Sequence, residues 1–337
     1  MQSLIDPAIL FFMFGVLAGL VRSNLEIPPA ISRFLSLYLL MALGLKGGFA
    51  LAHSGLTREV ATGLSLAITL ALLVPMLSHA VLSRFLSGFD AAAVSATYGS
   101  VSAVTFITAI GHLENQGIAF GGHMAAAMAL MESPAIVMAV LMANALRRQQ
   151  TAGVQLGSAG TGVLGQGQGQ GAPGFSLGKV LHESFTDGAQ LLLLGAMAVG
   201  ILTGDSGKAA MQPFSGDLFK GMLAFFLLDM GLLAARKLPG LKGQSPWLLA
   251  YGLLAPLVHA ALALGLSLLA GLSPGDATLL MVLAASASYI AVPAVVRYAI
   301  PEANPSLYFG LSLGLTFPLN ILLGIPLYTE VARQVLG

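Results

Sequence analysis

Residues 59–86 read EVATGLSLAITLALLVPMLSHAVLSRFL, and no acidic or basic residue other than His79 lies between Glu59 and Arg84. An α-helix needs about 20 residues to cross about 30 Å of hydrocarbon, so this stretch is long enough. Over the whole chain 56% of residues are hydrophobic and 9% are charged. A water-soluble surface needs charged residues at about a quarter of its positions. The sequence therefore predicts an all-α integral membrane protein. The net charge of +1 gives no indication of a nucleic-acid partner.

Similar apolar runs recur along the chain and predict ten transmembrane helices. The predicted bounds are Pro7–Val21, Pro29–Leu51, Glu59–Leu86, Ala91–Ile110, Gly122–Leu146, Glu183–Thr203, Asp217–Ala235, Pro246–Leu269, Ala277–Tyr298 and Asn304–Val331. Between the fifth and sixth helices, residues 149–177 are rich in Gly and Gln and predict a flexible linker. This linker separates a first unit, residues 1–148, from a second unit, residues 178–337.

The distribution of basic residues predicts the orientation. With ten spans, ten Lys and Arg residues fall in loops on the side of the linker and four on the side of the termini. Cytoplasmic loops carry the excess of Lys and Arg, so the linker is predicted to be cytoplasmic and both termini external. The first seven residues lack the basic region of a cleavable signal peptide, so we expect the first helix to be retained.

An internal repeat relates the two halves. LVPMLSHA at 73–80 matches LAPLVHA at 254–260, and an Asp-Ala pair follows each, at 90–91 and at 276–277. Nine residues after each Asp come GSVS at 99–102 and ASAS at 285–288, and Glu132–Ala135 corresponds to Thr316–Leu319. Because each half has five predicted helices, the second half enters the membrane upside down, as a 5+5 inverted repeat. Such repeats are typical of transporters, whose site lies near the midplane where discontinuous helices meet.

The fourth and ninth helices are the predicted discontinuous ones, at YGSVSAVT (98–105) and AASASYIAVP (284–293). A broken helix exposes N–H groups and a partial positive charge at the start of its second half, which favours an anion. The candidate hydroxyl ligands are Ser100, Ser102, Thr105, Ser286 and Ser288. Alternatively, these hydroxyls bond the preceding helical turn or join neighbouring helices.

Three ionisable residues fall well inside predicted spans: Lys46, Glu132 and Asp229. Charge is costly in lipid, so such residues usually pair and usually serve function. Glu132 is predicted to bind a proton or a cation. Lys46 either relays charge or extends to the interface. A pair between Lys46 and Asp229 is a further hypothesis.

The histidines do not predict an enzyme or a metal site. His79 and His259 are related by the repeat and are expected to pack near helix ends, whereas His112 and His123 are expected to be solvated in an external loop. No histidine is level with the paired serines, which leaves an intramembrane serine hydrolase only as a remote alternative. With no cysteine, thiol chemistry is excluded. No cofactor is predicted, and sodium is the one candidate metal ion.

Together these stretches resemble the sodium-dependent bicarbonate transporter family (SbtA) of cyanobacteria and other bacteria. The matching stretches are IPPAIS (27–32), GLKGG (44–48), YGSVS (98–102), PAIV (134–137), MG (230–231), APLVH (255–259) and IPEANPSLY (300–308). The resemblance implies a homotrimer in the bacterial inner membrane with ten spans and external termini. It also implies a cytoplasmic PII-like regulatory partner. The substrate is expected between the fourth and ninth helices, at Gly99, Ser100, Ser102, Ala103, Thr105, Ser286, Ser288, Tyr289 and Ile290.

This chain departs from the family pattern within the expected site. Tyr289 stands where the family has an acid, Lys46 replaces a threonine, and Asp229 replaces an aliphatic residue. We therefore expect secondary active uptake of a small anion, most simply bicarbonate, with sodium as a candidate coupling ion. The alternatives are a sodium-independent or proton-coupled carrier of another small carboxylate, and a membrane sensor that does not transport.

Overall fold

The computed structural model describes residues 6–55, 57–157 and 188–337, and these residues form helices and connecting loops with no strand. A π-helical segment, Gln212–Asp217, joins helix Gly188–Met211 to helix Phe219–Lys237, and a 3₁₀ turn, Leu238–Leu241, follows the second of these helices. The last helix includes two π-helical segments, Gly310–Thr316 and Asn320–Gly324. The helices are α1 Pro7–Leu20, α2 Pro29–Ser54, α3 Arg58–Leu82, α4 Gly88–Gly99, α5 Ala103–Gln116, α6 Met124–Gly157, α7 Gly188–Met211, α8 Phe219–Lys237, α9 Pro246–Ala270, α10 Pro274–Ala285, α11 Ala291–Ala299 and α12 Pro305–Leu336.

Within these residues seven helical stretches are long and apolar enough to cross a membrane, against the ten predicted. The difference has three sources. The first helix has 14 residues and α10 has 12, so both are short for a span. Helices α7 and α8 run together as one stretch, Gly188–Leu241.

The structure describes only the first part of the predicted linker. Residues 149–157 belong to α6, which continues to Gly157, and residues 158–177 lie outside the described residues.

Two helix pairs pack closely through glycine: α1 with α8, and α2 with α7. A β-carbon on Gly15 would lie 2.2 Å from the carbonyl oxygen of Leu228, and one on Gly231 would lie 2.2 Å from a carbonyl of α1. In the other pair, β-carbons on Gly44 and Gly48 would lie 2.4 Å and 2.2 Å from carbonyls of α7. Backbones this close require small residues, as is common between membrane helices.

The helices that precede the two predicted breaks begin with matching N-caps. Ser87 caps α4 by accepting from the N–H of Asp90, and Ser273 caps α10 by accepting from the N–H of Asp276. Each of these aspartates also accepts a backbone N–H from a loop that precedes a helix in the other half of the chain. Asp90 binds Asn304 at 2.7 Å before α12, and Asp276 binds Gly121 at 2.6 Å before α6. Side-chain caps of this kind satisfy N–H groups that a helix start leaves without acceptors.

Polar contacts define the two ends of the helical bundle. One end of the bundle, here called the terminal face, contains Asp6 at the start of α1. There Asn115 donates to Asp6 at 2.5 Å and accepts from Lys220 at 2.5 Å. At the opposite end, here called the linker face, the guanidinium of Arg147 donates two hydrogen bonds to Glu302, at 2.9 Å and 2.8 Å. These hydrogen bonds lower the pKa of Glu302 below its usual value. Between the two faces, apolar side chains such as Leu254 and Val258 of α9 point outward, as expected for contact with lipid.

Candidate functional site

The first helix break lies at Ser100–Ser102, as predicted. Helix α4 ends at Gly99, and α5 begins at Ala103 with Ser102 as its N-cap. The Ser102 hydroxyl oxygen accepts from the N–H of Thr105 at 3.2 Å and from the Thr105 hydroxyl at 2.9 Å. The Ser-x-Ser-x-x-Thr spacing thus closes the first turn of α5. The amides of Ala103 and its neighbour lie in that turn, where the helix supplies no acceptor.

The second break, at Ser286–Ile290, is longer. Helix α10 ends at Ala285, and α11 begins at Ala291 with Pro293 in its first turn, where a missing N–H costs nothing. The Ser288 hydroxyl oxygen accepts from the N–H of Val292 at 3.3 Å. Both predicted discontinuities are therefore confirmed at the predicted serines.

Hydrogen bonds join the two breaks directly. The N–H of Ser102 donates to the hydroxyl oxygen of Ser286 at 2.9 Å, and the N–H of Ser288 donates to the carbonyl of Thr97 at 2.8 Å. All four residues are at most 4% exposed. Buried backbone groups require partners, so these bonds hold the two interrupted helices against each other.

A cavity of about 200 Å³, here called the serine cavity, lies beside the joined breaks. Six of the predicted site residues line it together, and they come from three segments of the chain. They are Ser102, Ala103, Glu132, Ser288, Tyr289 and Ile290. The amides at the start of α5 and α11 border the same space, since Ala103 and Ala291 both line it. Helix N-termini carry partial positive charge, so this cavity has the electrostatic character that an anion requires.

Four other predicted residues lie within or next to the breaks but do not line the serine cavity. Ser286 uses its hydroxyl within the protein, accepting from Ser102 and donating to the carbonyl of Leu283 at 3.0 Å. Thr105 donates to the cap serine. Gly99 packs against Pro75, where an added β-carbon would lie 2.5 Å from the proline ring. The Ser100 hydroxyl is 1% exposed, with no hydrogen-bond partner among the described residues.

The carboxylate of Glu132 meets Gln190 at the edge of the serine cavity. The Gln190 amide donates to this carboxylate at 2.6 Å and so connects α6 to the first turn of α7. Gln190 and Ser36, which also lines the cavity, were not predicted from the sequence. Ser36 is a single polar residue in an apolar run, and Gln190 lies at the start of an apolar run, 13 residues after the predicted linker. Only the sequence position of Glu132 gave a signal, because an acid inside a span is unusual.

Lys46 and Asp229 lie apart, and the hypothesis that they pair is wrong. The Lys46 ammonium donates to Glu114 at 2.8 Å and lies 4.0 Å from the centre of the Phe219 ring. Asp229 accepts instead from the hydroxyl of Ser32. Lys46 therefore lies toward the terminal face, and the serine cavity contains neither of these two residues.

The expectation that His112 and His123 are solvated is also wrong. His112 lies within α5 and is 7% exposed, and His123 precedes α6 and is 2% exposed, 3.9 Å from a carboxylate oxygen of Asp276. The loop between α5 and α6 is shorter than predicted, because α5 extends to Gln116. His259 is buried against the Tyr98 ring, with centroids 6.4 Å apart, so it packs as predicted, but it lies in the middle of α9 and not near a helix end. Among the described residues no three His, Asp or Glu side chains form a group that could hold a metal ion.

Comparison with protein families decides the class. Residues 7–333 match the model of the Na+-dependent bicarbonate transporter superfamily. The chain belongs to this superfamily. A comparison with curated proteins gives no match.

Membership in the Na+-dependent bicarbonate transporter superfamily makes the chain a transporter and not an enzyme. The match covers nearly the whole chain, so it includes both helix breaks and every residue that lines the serine cavity. The apolar helices agree with a membrane-embedded member of this superfamily. The serine hydroxyls at the breaks therefore belong to a transport scaffold, and the hydrolase alternative is excluded.

Proposed function

We propose that this protein takes up bicarbonate by secondary active transport and that the serine cavity binds the anion. The observation that carries the proposal is the meeting of two interrupted helices at one cavity, with Ser102 and Ser288 lining it. Hydroxyl and backbone N–H donors at paired helix starts can neutralise one negative charge without a buried base. Bicarbonate is a planar oxyanion that accepts such hydrogen bonds.

The same proposal includes a ten-span, 5+5 inverted repeat. Under this repeat α1 corresponds to α7 and α2 to α8, so the contact of α1 with α8 corresponds to the contact of α7 with α2. Both contacts exist, and both are made by glycine against backbone. The matched helix starts that contain Asp90 and Asp276 support the same relation, because each aspartate binds a loop of the other half of the chain. Inverted repeats permit alternating access, in which one helical group moves against another around the site.

Glu132 is proposed as the group that binds a proton or a cation. Its carboxylate borders the serine cavity and reaches across to α7 through Gln190. A carboxylate next to an anion site can couple the transport of the anion to that of a cation or proton, because a positive charge bound there offsets the charge of the anion. Tyr289 supplies no carboxylate at the position of the family's acid. Its ring packs edge-on against Phe317, with centroids 5.3 Å apart.

The tyrosine at position 289, in place of the family's acid, favours a second candidate function. A sodium-independent carrier, in which Glu132 takes a proton, would need no acid at Tyr289. Asp229 and Lys46 remain proposed charge-relay residues, with Ser32 and Glu114 as their partners. The resemblance described above also supports a homotrimer in a bacterial inner membrane with external termini, together with a cytoplasmic PII-like regulator.

The test is uptake of radiolabelled bicarbonate into proteoliposomes that contain the purified protein. An inward sodium gradient is compared with potassium alone and with an inward proton gradient. We expect bicarbonate to accumulate, and uptake that requires sodium would refute the proton-coupled alternative. Glu132→Gln should lose most uptake, whereas the control Glu330→Gln, at an exposed site near the C-terminus, should keep it. No uptake under any gradient by folded protein would refute the transport proposal and leave a membrane sensor.

A further inference from the structure

A second and larger cavity of about 830 Å³, here called the terminal cleft, lies toward the terminal face. Along α2 the lining residues pass from one cavity to the other. Ser36 and Leu40 line the serine cavity, whereas Leu43 and Lys46 line the terminal cleft. Leu40 and Leu43 are three residues apart, which is about 4.5 Å along a helix. The two cavities are thus separated along α2 by less than one helical turn.

Helices α5 and α6 show the same succession. On α5, Val104 lines the serine cavity and Ile110 lines the terminal cleft, with Ile107 between them and 2% exposed. On α6, Met128 lines the serine cavity and Met124 lines the terminal cleft. Both cavities therefore lie along one seam between α2 on one side and α5 and α6 on the other. A thin apolar layer separates them.

One ion pair crosses this seam on the side of the terminal cleft. The Lys46 ammonium of α2 donates to the Glu114 carboxylate of α5 at 2.8 Å, and the two side chains are 24% and 28% exposed. Phe219, at the start of α8, lies under the ammonium at 4.0 Å. The pair connects the closely packed α2 and α7 to the helix that follows the first break. Partly exposed ion pairs are weak, so such a contact can form and separate during each transport cycle.

We propose that the Lys46–Glu114 ion pair is a latch that closes the seam between the terminal cleft and the serine cavity. The latch rests on the proposed transport function, because it controls access to the proposed anion site from the terminal face. When the pair separates, α2 and α5 move apart and the apolar layer between the cavities opens. Lys46 thus acts as a gating residue and does not contact the anion in the closed state.

The natural chain has no cysteine, so a single introduced thiol reports access without background. Ser36→Cys places the thiol in the serine cavity, and a charged methanethiosulfonate reagent that does not cross lipid is added at the terminal face of oriented vesicles. Labelling of Glu330→Cys identifies the vesicles in which the reagent reaches that face. With the latch intact, Ser36→Cys should label slowly.

Glu114→Gln in this background should raise the labelling rate about fivefold, which corresponds to about 1 kcal/mol lost from the closed state. Lys46→Gln should give the same increase. The charge-swapped double variant, Lys46→Glu with Glu114→Lys, should return the rate toward its original value. The matched control Glu330→Gln should leave the labelling rate unchanged.

An unchanged rate in Glu114→Gln would overturn the latch, as would a charge swap that labels as fast as the single variants. The charge swap also controls for misfolding. Slow labelling in the double variant shows that substitution at these two positions is tolerated and that loss of the ion pair caused the fast labelling in the single variants. The labelling assay does not depend on bicarbonate uptake. If uptake fails while labelling responds as expected, the substrate proposal is wrong and the latch stands.

Discussion

Ser286→Ala separates a structural serine from the serines that line the cavity. The Ser286 hydroxyl accepts the N–H of Ser102 at 2.9 Å and is 1% exposed. Removing the hydroxyl leaves that buried N–H without an acceptor, which costs about 1–3 kcal/mol. The carbonyl of Leu283 loses one donor but keeps the backbone N–H of residue 286, at 3.4 Å, so it adds little.

The measurement is thermal unfolding in detergent, followed by the fluorescence of a conformation-sensitive dye. At about 2 °C per kcal/mol for a chain of this size, Ser286→Ala should unfold about 2–6 °C below the natural protein. The control is Ser65→Ala, because the exposed Ser65 hydroxyl donates to the carbonyl of Ala61 in its own helix, at 2.8 Å, and joins no other described helix. We expect this control to unfold within about 1 °C of the natural protein.

Ser288→Ala completes the comparison. Its hydroxyl caps a single amide at 3.3 Å and borders the serine cavity, so we expect a smaller loss of stability and a larger loss of bicarbonate uptake. The reasoning would be refuted if Ser286→Ala unfolded at the same temperature as Ser65→Ala. In that case the hydrogen bond between the two breaks would not hold them together.

Two further predictions concern packing and pH. Gly231→Ala should lower the free energy of unfolding by about 1–3 kcal/mol, because the new β-carbon would lie 2.2 Å from the carbonyl of Phe12. Gly221→Ala on the same helix meets open space and should be neutral or slightly stabilising, and equal unfolding temperatures would contradict the close packing of α1 on α8. The pKa of Glu302 is lowered by Arg147, so this pair stabilises the fold above the unfolded glutamate pKa of about 4.3 and loses that effect as the pH falls below it. Glu302→Gln should therefore lower the free energy of unfolding at pH 7 by less than about 1 kcal/mol, because the side chain is partly exposed. The loss should be smaller at pH 3, and an equal loss at both pH values would rule the ion pair out as the cause.

The latch and the uptake experiments address function separately from stability. Bicarbonate uptake tests the serine cavity, and thiol labelling tests the seam. A substitution that leaves the unfolding temperature unchanged but abolishes uptake affects the binding site. A substitution that lowers the unfolding temperature and also abolishes uptake affects the fold.

Much of the architecture follows from the sequence alone. Apolar runs such as residues 59–86 require a membrane, since their side chains have no favourable place in water. The serine repeats at 100–102 and 286–288 marked both helix breaks, because local turn chemistry depends on neighbours in the chain. Glu132 was also marked by sequence, as an acid in an apolar helix.

The partners of these residues were decided by tertiary structure. Nothing near Ser286 in the chain indicates that it binds Ser102, or that Glu132 meets Gln190, since each pair is far apart in sequence. The partner of Lys46 was predicted incorrectly for the same reason. Charge determines that an ammonium needs a carboxylate, but helix packing determines which one is within reach, and Glu114 of α5 is at 2.8 Å. Composition and local pattern thus specify the kinds of groups in the site, and only the packed helices specify which of them meet.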